Sequence, residues 1–144
     1  MKSVIPSLAV ADIEASVKFY TDVLGFNATF ILPGEDGKPV HASMMRGDAM
    51  LMFGRLDAAS EHDRGRLGLG VVIYSTVADD EDIDAAFAHA RNAGAKVMQE
   101  PVDQFWGHRD WGIADPDGYL FWVSKDMKAL SGAEITEAMA NAAD

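Results

Sequence analysis

The sequence predicts an α+β fold in which a strand–helix–strand–strand–strand unit occurs twice. Three observations carry that expectation. First, the order of apolar-periodic segments repeats along the chain. Second, short matches recur at one offset: Ile13-Glu14-Ala15-Ser16 with Ile83-Asp84-Ala85-Ala86, and Met50-Leu51-Met52-Phe53 with Leu120-Phe121-Trp122-Val123, each pair 70 residues apart. Third, each unit carries a turn just before its last strand, at Gly47-Asp48 and at Asp117-Gly118.

Val4 to Val10 reads as the first strand, with Pro6 near its start, where a missing N–H is tolerable. Asp12 is a good N-cap for the helix that follows through Leu24. Ile13, Val17, Tyr20 and Leu24 recur at three- and four-residue spacing and give one buried stripe. Gly25 sits where a helix-terminating glycine belongs. Phe26 to Leu32 is the second strand, Pro33 to Lys38 a polar turn, Val40 to Arg46 the third strand and Ala49 to Phe53 the fourth. These form a first module over residues 1–56. Arg55 to Arg66 is polar and aperiodic, and residues 57–66 are assigned as a linker.

The second module spans 67–125. Leu67 to Val77 reads as a strand containing Gly68 and Gly70. The acidic run Asp79 to Asp82 fits a helix N-terminus, where side-chain oxygens cap free N–H groups and negative charge meets the positive end of the dipole. A helix follows from Ile83 to Asn92, and Lys96 to Glu100 is the next strand. The last two strands flank Asp115-Pro116-Asp117-Gly118, where Pro116 presets its own φ and Gly118 accepts a positive one. All three tryptophans, Trp106, Trp111 and Trp122, lie in this hairpin. Residues 126–144 form an alanine-rich tail, helical from Ala133.

A chain of 144 residues buries a core large enough to fold without disulfides, and it contains no cysteine, so thiolate chemistry is excluded. The absence of cysteine suits a reducing cytoplasm. A net charge of −11 repels phosphate backbones and argues against nucleic acid as a partner. No apolar run approaches the roughly 20 residues of a membrane-spanning helix, so no membrane partner is expected.

Leu8-Ala9-Val10-Ala11-Asp12-Ile13, Phe19-Tyr20-Thr21-Asp22-Val23-Leu24-Gly25-Phe26 and Asp115-Pro116-Asp117-Gly118 together resemble the vicinal oxygen chelate superfamily of glyoxalases, extradiol dioxygenases and bleomycin-resistance proteins. The resemblance spans about residues 4–125. It implies two βαβββ modules whose mixed sheets curl into a cup with flanking helices, and a homodimer. It also implies divalent-metal ligands, His and Glu, on the first and fourth strands of each module, because such ions need imidazole nitrogen and carboxylate oxygen. Those positions hold Ile5, Met52, Trp122 and a residue within Leu69–Tyr74, a window without His, Glu or Asp. No metal and no cofactor are therefore expected.

Alternation along the fourth strands places Met50, Met52, Leu120 and Trp122 on the cup face, and Leu51, Phe53, Phe121 and Val123 under the helices. Methionine and tryptophan make an adaptable, polarizable wall suited to a planar, partly hydrophobic organic ligand. Trp106-Gly107-His108-Arg109-Asp110-Trp111 resembles the Trp-Gly-x-Arg segment of the bleomycin-resistance members. In that segment Arg109 meets a ligand anion or pairs with an acid, and Trp106 and Trp111 stack on a ligand or complete the core. The expected ligand-binding set is Met50, Met52, Trp106, His108, Arg109, Trp111, Leu120 and Trp122. The alternative is a lyase, isomerase or dioxygenase of the same family that uses a non-standard metal site, or His41 or His108 as a base. His62 in the linker and His89 on the second helix are expected to face solvent.

Overall fold

A computed structural model describes residues 1–56 and 66–143 of the chain. The elements are β1 (Ser7–Val10), α1 (Ile13–Leu24), β2 (Asn27–Pro33), β3 (Pro39–Arg46), β4 (Ala49–Arg55), β5 (Val72–Thr76), α2 (Ile83–Asn92), β6 (Lys96–Asp103), β7 (His108–Ala114), β8 (Leu120–Asp126) and α3 (Gly132–Ala142). Each βαβββ module builds one mixed four-stranded sheet, ordered β1-β4-β3-β2 in the first and β5-β8-β7-β6 in the second. In each, the first strand runs parallel to the fourth and the remaining pairs are antiparallel. The predicted linker lies outside the described residues except for Arg66, and His62 lies outside them altogether.

Local chemistry sets the element ends. The Asp12 carboxylate accepts from the Ala15 amide, and Gly25 closes α1 at φ 70°. Asp82 caps α2 by accepting from the amides of Asp84 and Ala85. Two strands are shorter than the sequence suggests. Residue 6 is a proline without an N–H, and β1 begins only at Ser7. The Arg66–Gly70 stretch is turn rather than strand, because Gly68 and Gly70 sit at φ 75° and 73°, outside the β region. Gly68 also packs on the Asp-Pro-Asp-Gly turn so tightly that a Cβ would lie 2.4 Å from the Gly118 oxygen.

One apolar core joins the modules. It includes Val10, Tyr20, Phe26, Phe53, Ile83, Phe87, Trp111, Phe121 and Val123, all buried. The Tyr20 ring meets Phe53 of its own module at 5.0 Å and Phe121 of the other at 5.9 Å. The repeat exchanges large and small side chains between helix and strand. Helix residue Tyr20 corresponds to Ala90, while strand residue Ala42, paired with Phe53, corresponds to Trp111, paired with Val123. The first module thus takes its bulk from the helix and the second from the strand, which keeps both layers close-packed. α3 buries none of its side chains and starts at a capping box formed by Ser131 and Glu134.

Candidate functional site

The two faces of each sheet differ as alternation requires. Leu51, Phe53, Phe121 and Val123 are core residues beneath the helices. Met50, Met52, Leu120 and Trp122 are half-buried on the opposite, helix-free face. Parallel pairing sets Ser7 beside Met52 and Tyr74 beside Trp122. Ser7, not Ile5, is therefore the first-strand partner of Met52, because the ladder starts after Pro6.

These four side chains, Ser7, Met52, Tyr74 and Trp122, are a poor donor set for the divalent ion that the fold family implies. They offer a hydroxyl, a thioether, a phenol and an indole, with no imidazole or carboxylate. Among the described residues, no three His, Asp or Glu side chains are grouped so as to hold a metal ion.

Trp122 has a flat bed. Its cross-strand neighbour on β7 is Gly112, and a Cβ there would lie 2.7 Å from three atoms of the indole. Only glycine leaves room for the ring to lie down on the strand. The outer face of the indole is left as a planar apolar surface with one N–H.

A polar network borders this platform. The Tyr74 hydroxyl donates to Ser124 Oγ at 2.8 Å and lies 3.2 Å from His108 Nδ1, which is itself 3.1 Å from Ser124 Oγ. On its other side, His108 Nε2 sits 3.2 Å from Asp126 Oδ1. Nearby, the buried Asp110 carboxylate accepts from the side-chain amides of Gln99 and Gln104, both at 2.7 Å. On the first sheet, His41 Nε2 lies 2.9 Å from Ser43 Oγ. His41 and His108 thus stand on separate sheets, each engaged with a serine. His89 is exposed, and its Nε2 meets the Asp22 carbonyl at 2.7 Å, tying α2 to α1.

Two members of the expected set lie on the other face. Trp111 is 1% exposed. It donates from its indole to the Ile83 carbonyl at 3.2 Å and meets the Phe87 ring edge-on at 5.7 Å. Arg109 reaches the α2 side as well, where it is held by Asp84 at 3.0 Å and Asp103 at 2.9 Å. Those carboxylates raise the guanidinium pKa by hydrogen bonding. Of the two readings left open by the sequence, these residues take the core and ion-pair ones. Trp106 lies half-buried in the β6–β7 turn, edge-to-face with Phe105. That turn is held by the Met127 and Lys128 amides, which donate to the Gly107 carbonyl.

The structure thus joins Leu120, Trp122 and His108 on one sheet face and puts Met50 and Met52 on the equivalent face of the other sheet. It adds Tyr74, Ser124 and Gly112, which the sequence did not single out. Tyr74 carried one usable signal, its place in the window matching a family ligand strand.

Comparison with known proteins gives a consistent family assignment. A model described as the Glyoxalase/Bleomycin resistance protein/Dioxygenase superfamily matches residues 4–123. Uncharacterized protein Mb0911c of Mycobacterium bovis is 34% identical, over 96% of this chain and 93% of its own. A bleomycin resistance protein of Geobacillus stearothermophilus is 29% identical, over 87% of this chain and 97% of its own. Anthracycline biosynthesis protein DnrV of Streptomyces peucetius is 30% identical, over 90% of this chain and 48% of its own. The crystal structure of TioX from Micromonospora sp. ML1 shares the fold at TM-score 0.67, with 24% identity over 90% of this chain and 100% of that one.

Proposed function

The chain belongs to the glyoxalase/bleomycin resistance protein/dioxygenase superfamily, and on that premise we propose that it is a metal-free binding protein for a small planar or amphipathic organic molecule. The observation that carries this reading is the Trp122 indole, bedded on Gly112 at a position where family enzymes carry a metal-binding carboxylate. A planar ligand stacks on the indole, Leu120 and the methionine pair Met50 and Met52 supply apolar contact, and the Tyr74–His108–Ser124 group addresses a polar edge. Pockets of this kind combine an aromatic wall with few polar groups. The relatives named for bleomycin resistance and anthracycline biosynthesis support an antibiotic-like ligand.

The chain acts as a homodimer in this proposal. Tyr74 is 48% exposed on the single chain, and edge strand β2 leaves Phe30, Ile31 and Leu32 at 44–54% exposure. Such apolar surface suits burial by a second copy, which would also close the open face over Trp122. The composition suits a cytoplasmic setting. No described helix is long and apolar enough to cross a membrane.

The test is intrinsic fluorescence and thermal melting against planar heteroaromatic and quinone compounds. Binding shifts or quenches the emission and raises Tm. Failure of every compound to do either would count against the proposal. A second reading, an enzyme using His108 as base, is favoured by one observation: His108 bridges Tyr74 and Asp126, an arrangement able to move a proton. Turnover of a bound compound that is lost in His108→Gln, with binding retained, would establish it.

A further inference from the structure

The internal repeat creates two equivalent seams between the modules, and they are closed differently. On one, the Asp115–Tyr119 turn is clasped to β1 and α1. Tyr20 donates to Asp115 Oδ2 at 2.9 Å, the Ala11 amide to Asp117 Oδ1 at 3.0 Å, and Tyr119 to the Ala9 carbonyl at 2.9 Å. On the other, the turn is only Gly47-Asp48, between paired Arg46 and Ala49, and it faces the end of β5 and the start of α2. Ala90 stands in the place of Tyr20, with neither ring nor hydroxyl. An ion pair from Arg46 to Glu81 crosses this seam.

Both residues of that ion pair line a cavity of about 570 Å³. Its apolar walls include Phe26, Val77 and Phe121, and Ser75 and Thr76 border it. The volume falls within the range of small-molecule sites. Arg46 is half-buried and points its guanidinium at Glu81, while the Lys125 ammonium donates to the Glu81 carbonyl at 2.6 Å. A carboxylate held by a guanidinium beside apolar side chains is the arrangement a bound carboxylic acid would make.

We propose that this seam is a second ligand site, separate from the Trp122 face, and that it takes a small flat monocarboxylate. Glu81 holds Arg46 as the ligand's carboxylate would. The incoming carboxylate replaces Glu81 on Arg46, and its ring or chain lies in the cavity against the wall that Phe26, Val77 and Phe121 help to form. A dianion is disfavoured, because Asp48 also lines the cavity and the chain is strongly acidic.

The test is an amide NMR titration with sodium benzoate. Saturable shifts are expected at Gly47 and from Ser75 to Ala78, with the Trp122 indole signal unmoved. Glu81→Gln removes the internal competitor and should tighten benzoate roughly fivefold, the scale of a half-exposed ion pair. Arg46→Gln should abolish the shifts. The proposal is overturned if neither wild type nor Glu81→Gln shows saturable shifts, if Glu81→Gln binds no tighter, or if benzoate perturbs only Trp122. It is also overturned if a folded Arg46→Gln binds as wild type does. Should Arg46→Gln fail to fold, the comparison of wild type with Glu81→Gln decides alone.

Discussion

The indole of Trp122 lies so close to Gly112 that a Cβ at 112 would stand 2.7 Å from three of its ring atoms. Residue 112 is thus the positioning partner of the proposed stacking surface. Gly112→Ala should tilt the ring off the strand, cost about 1–3 kcal/mol as an overpacking change, and weaken ligand binding. Tryptophan emission and a denaturant melt measure the two effects separately.

Trp111 and Trp122 sit on opposite faces of one sheet, so their substitutions should separate stability from binding. Trp111→Ala empties a core position and should cost about 3–5 kcal/mol. At a temperature where the variant remains folded, its ligand affinity should change little. Trp122→Ala should do the reverse, with Tm held within a few degrees and affinity reduced by about tenfold or more, in keeping with aromatic anchors of binding sites.

The clasp at Asp115 makes stability sensitive to alkali. Burial, then the charge and hydrogen bond of Asp115, push the Tyr20 phenol well above its ordinary value of 10.0. Tyr119 is raised as well, mainly by burial. A raised folded pKa means that the folded state holds its proton while the unfolded state has lost it. Their contribution is therefore intact below pH 10 and declines as pH rises above it. Denaturant midpoints should fall above pH 10, and Tyr20→Phe should flatten that fall while lowering stability at neutral pH by about 1–3 kcal/mol, since Asp115 loses a donor.

Asp115 itself titrates in the same sense. Burial raises its carboxyl above the ordinary 3.8 despite donors from Tyr119, Tyr20 and Asp117. It therefore contributes no acid-side loss of stability. Its removal is costly for a different reason: Asp115→Ala leaves the Tyr20 hydroxyl and the Asp117 and Tyr119 amides without their acceptor. The expected cost is about 2–4 kcal/mol by chemical denaturation.

Much of this fold was legible because its signals are local. Helix caps at Asp12 and Asp82, the glycine at 25 and period-two alternation in Met50–Phe53 and Leu120–Val123 each depend on a few neighbouring residues. The shared 70-residue offset then paired the modules. The face of β7 was harder to read. Which side Trp111 and Arg109 take depends on their register with β8, and that depends on the number of residues in the Asp115–Tyr119 turn. The role of that turn was also hidden. It reads as a hairpin end, yet it is the clasp between modules, because Ala9, Ala11 and Tyr20 are about a hundred residues away in sequence. Tyr74 was obscured by Gly68 and Gly70, which blur where β5 begins.

In the proposed function, Trp122 is a ligand platform in a cup without a metal. An indole NMR titration with the same planar compounds tests it most directly, because the three tryptophans give three N–H signals, assignable by single Trp→Phe variants. A binding compound should move the Trp122 signal saturably while the buried Trp111 signal stays in place. Compounds that bind but leave Trp122 unmoved, or affinity that requires added Zn²⁺, Ni²⁺, Mn²⁺ or Fe²⁺, would contradict it.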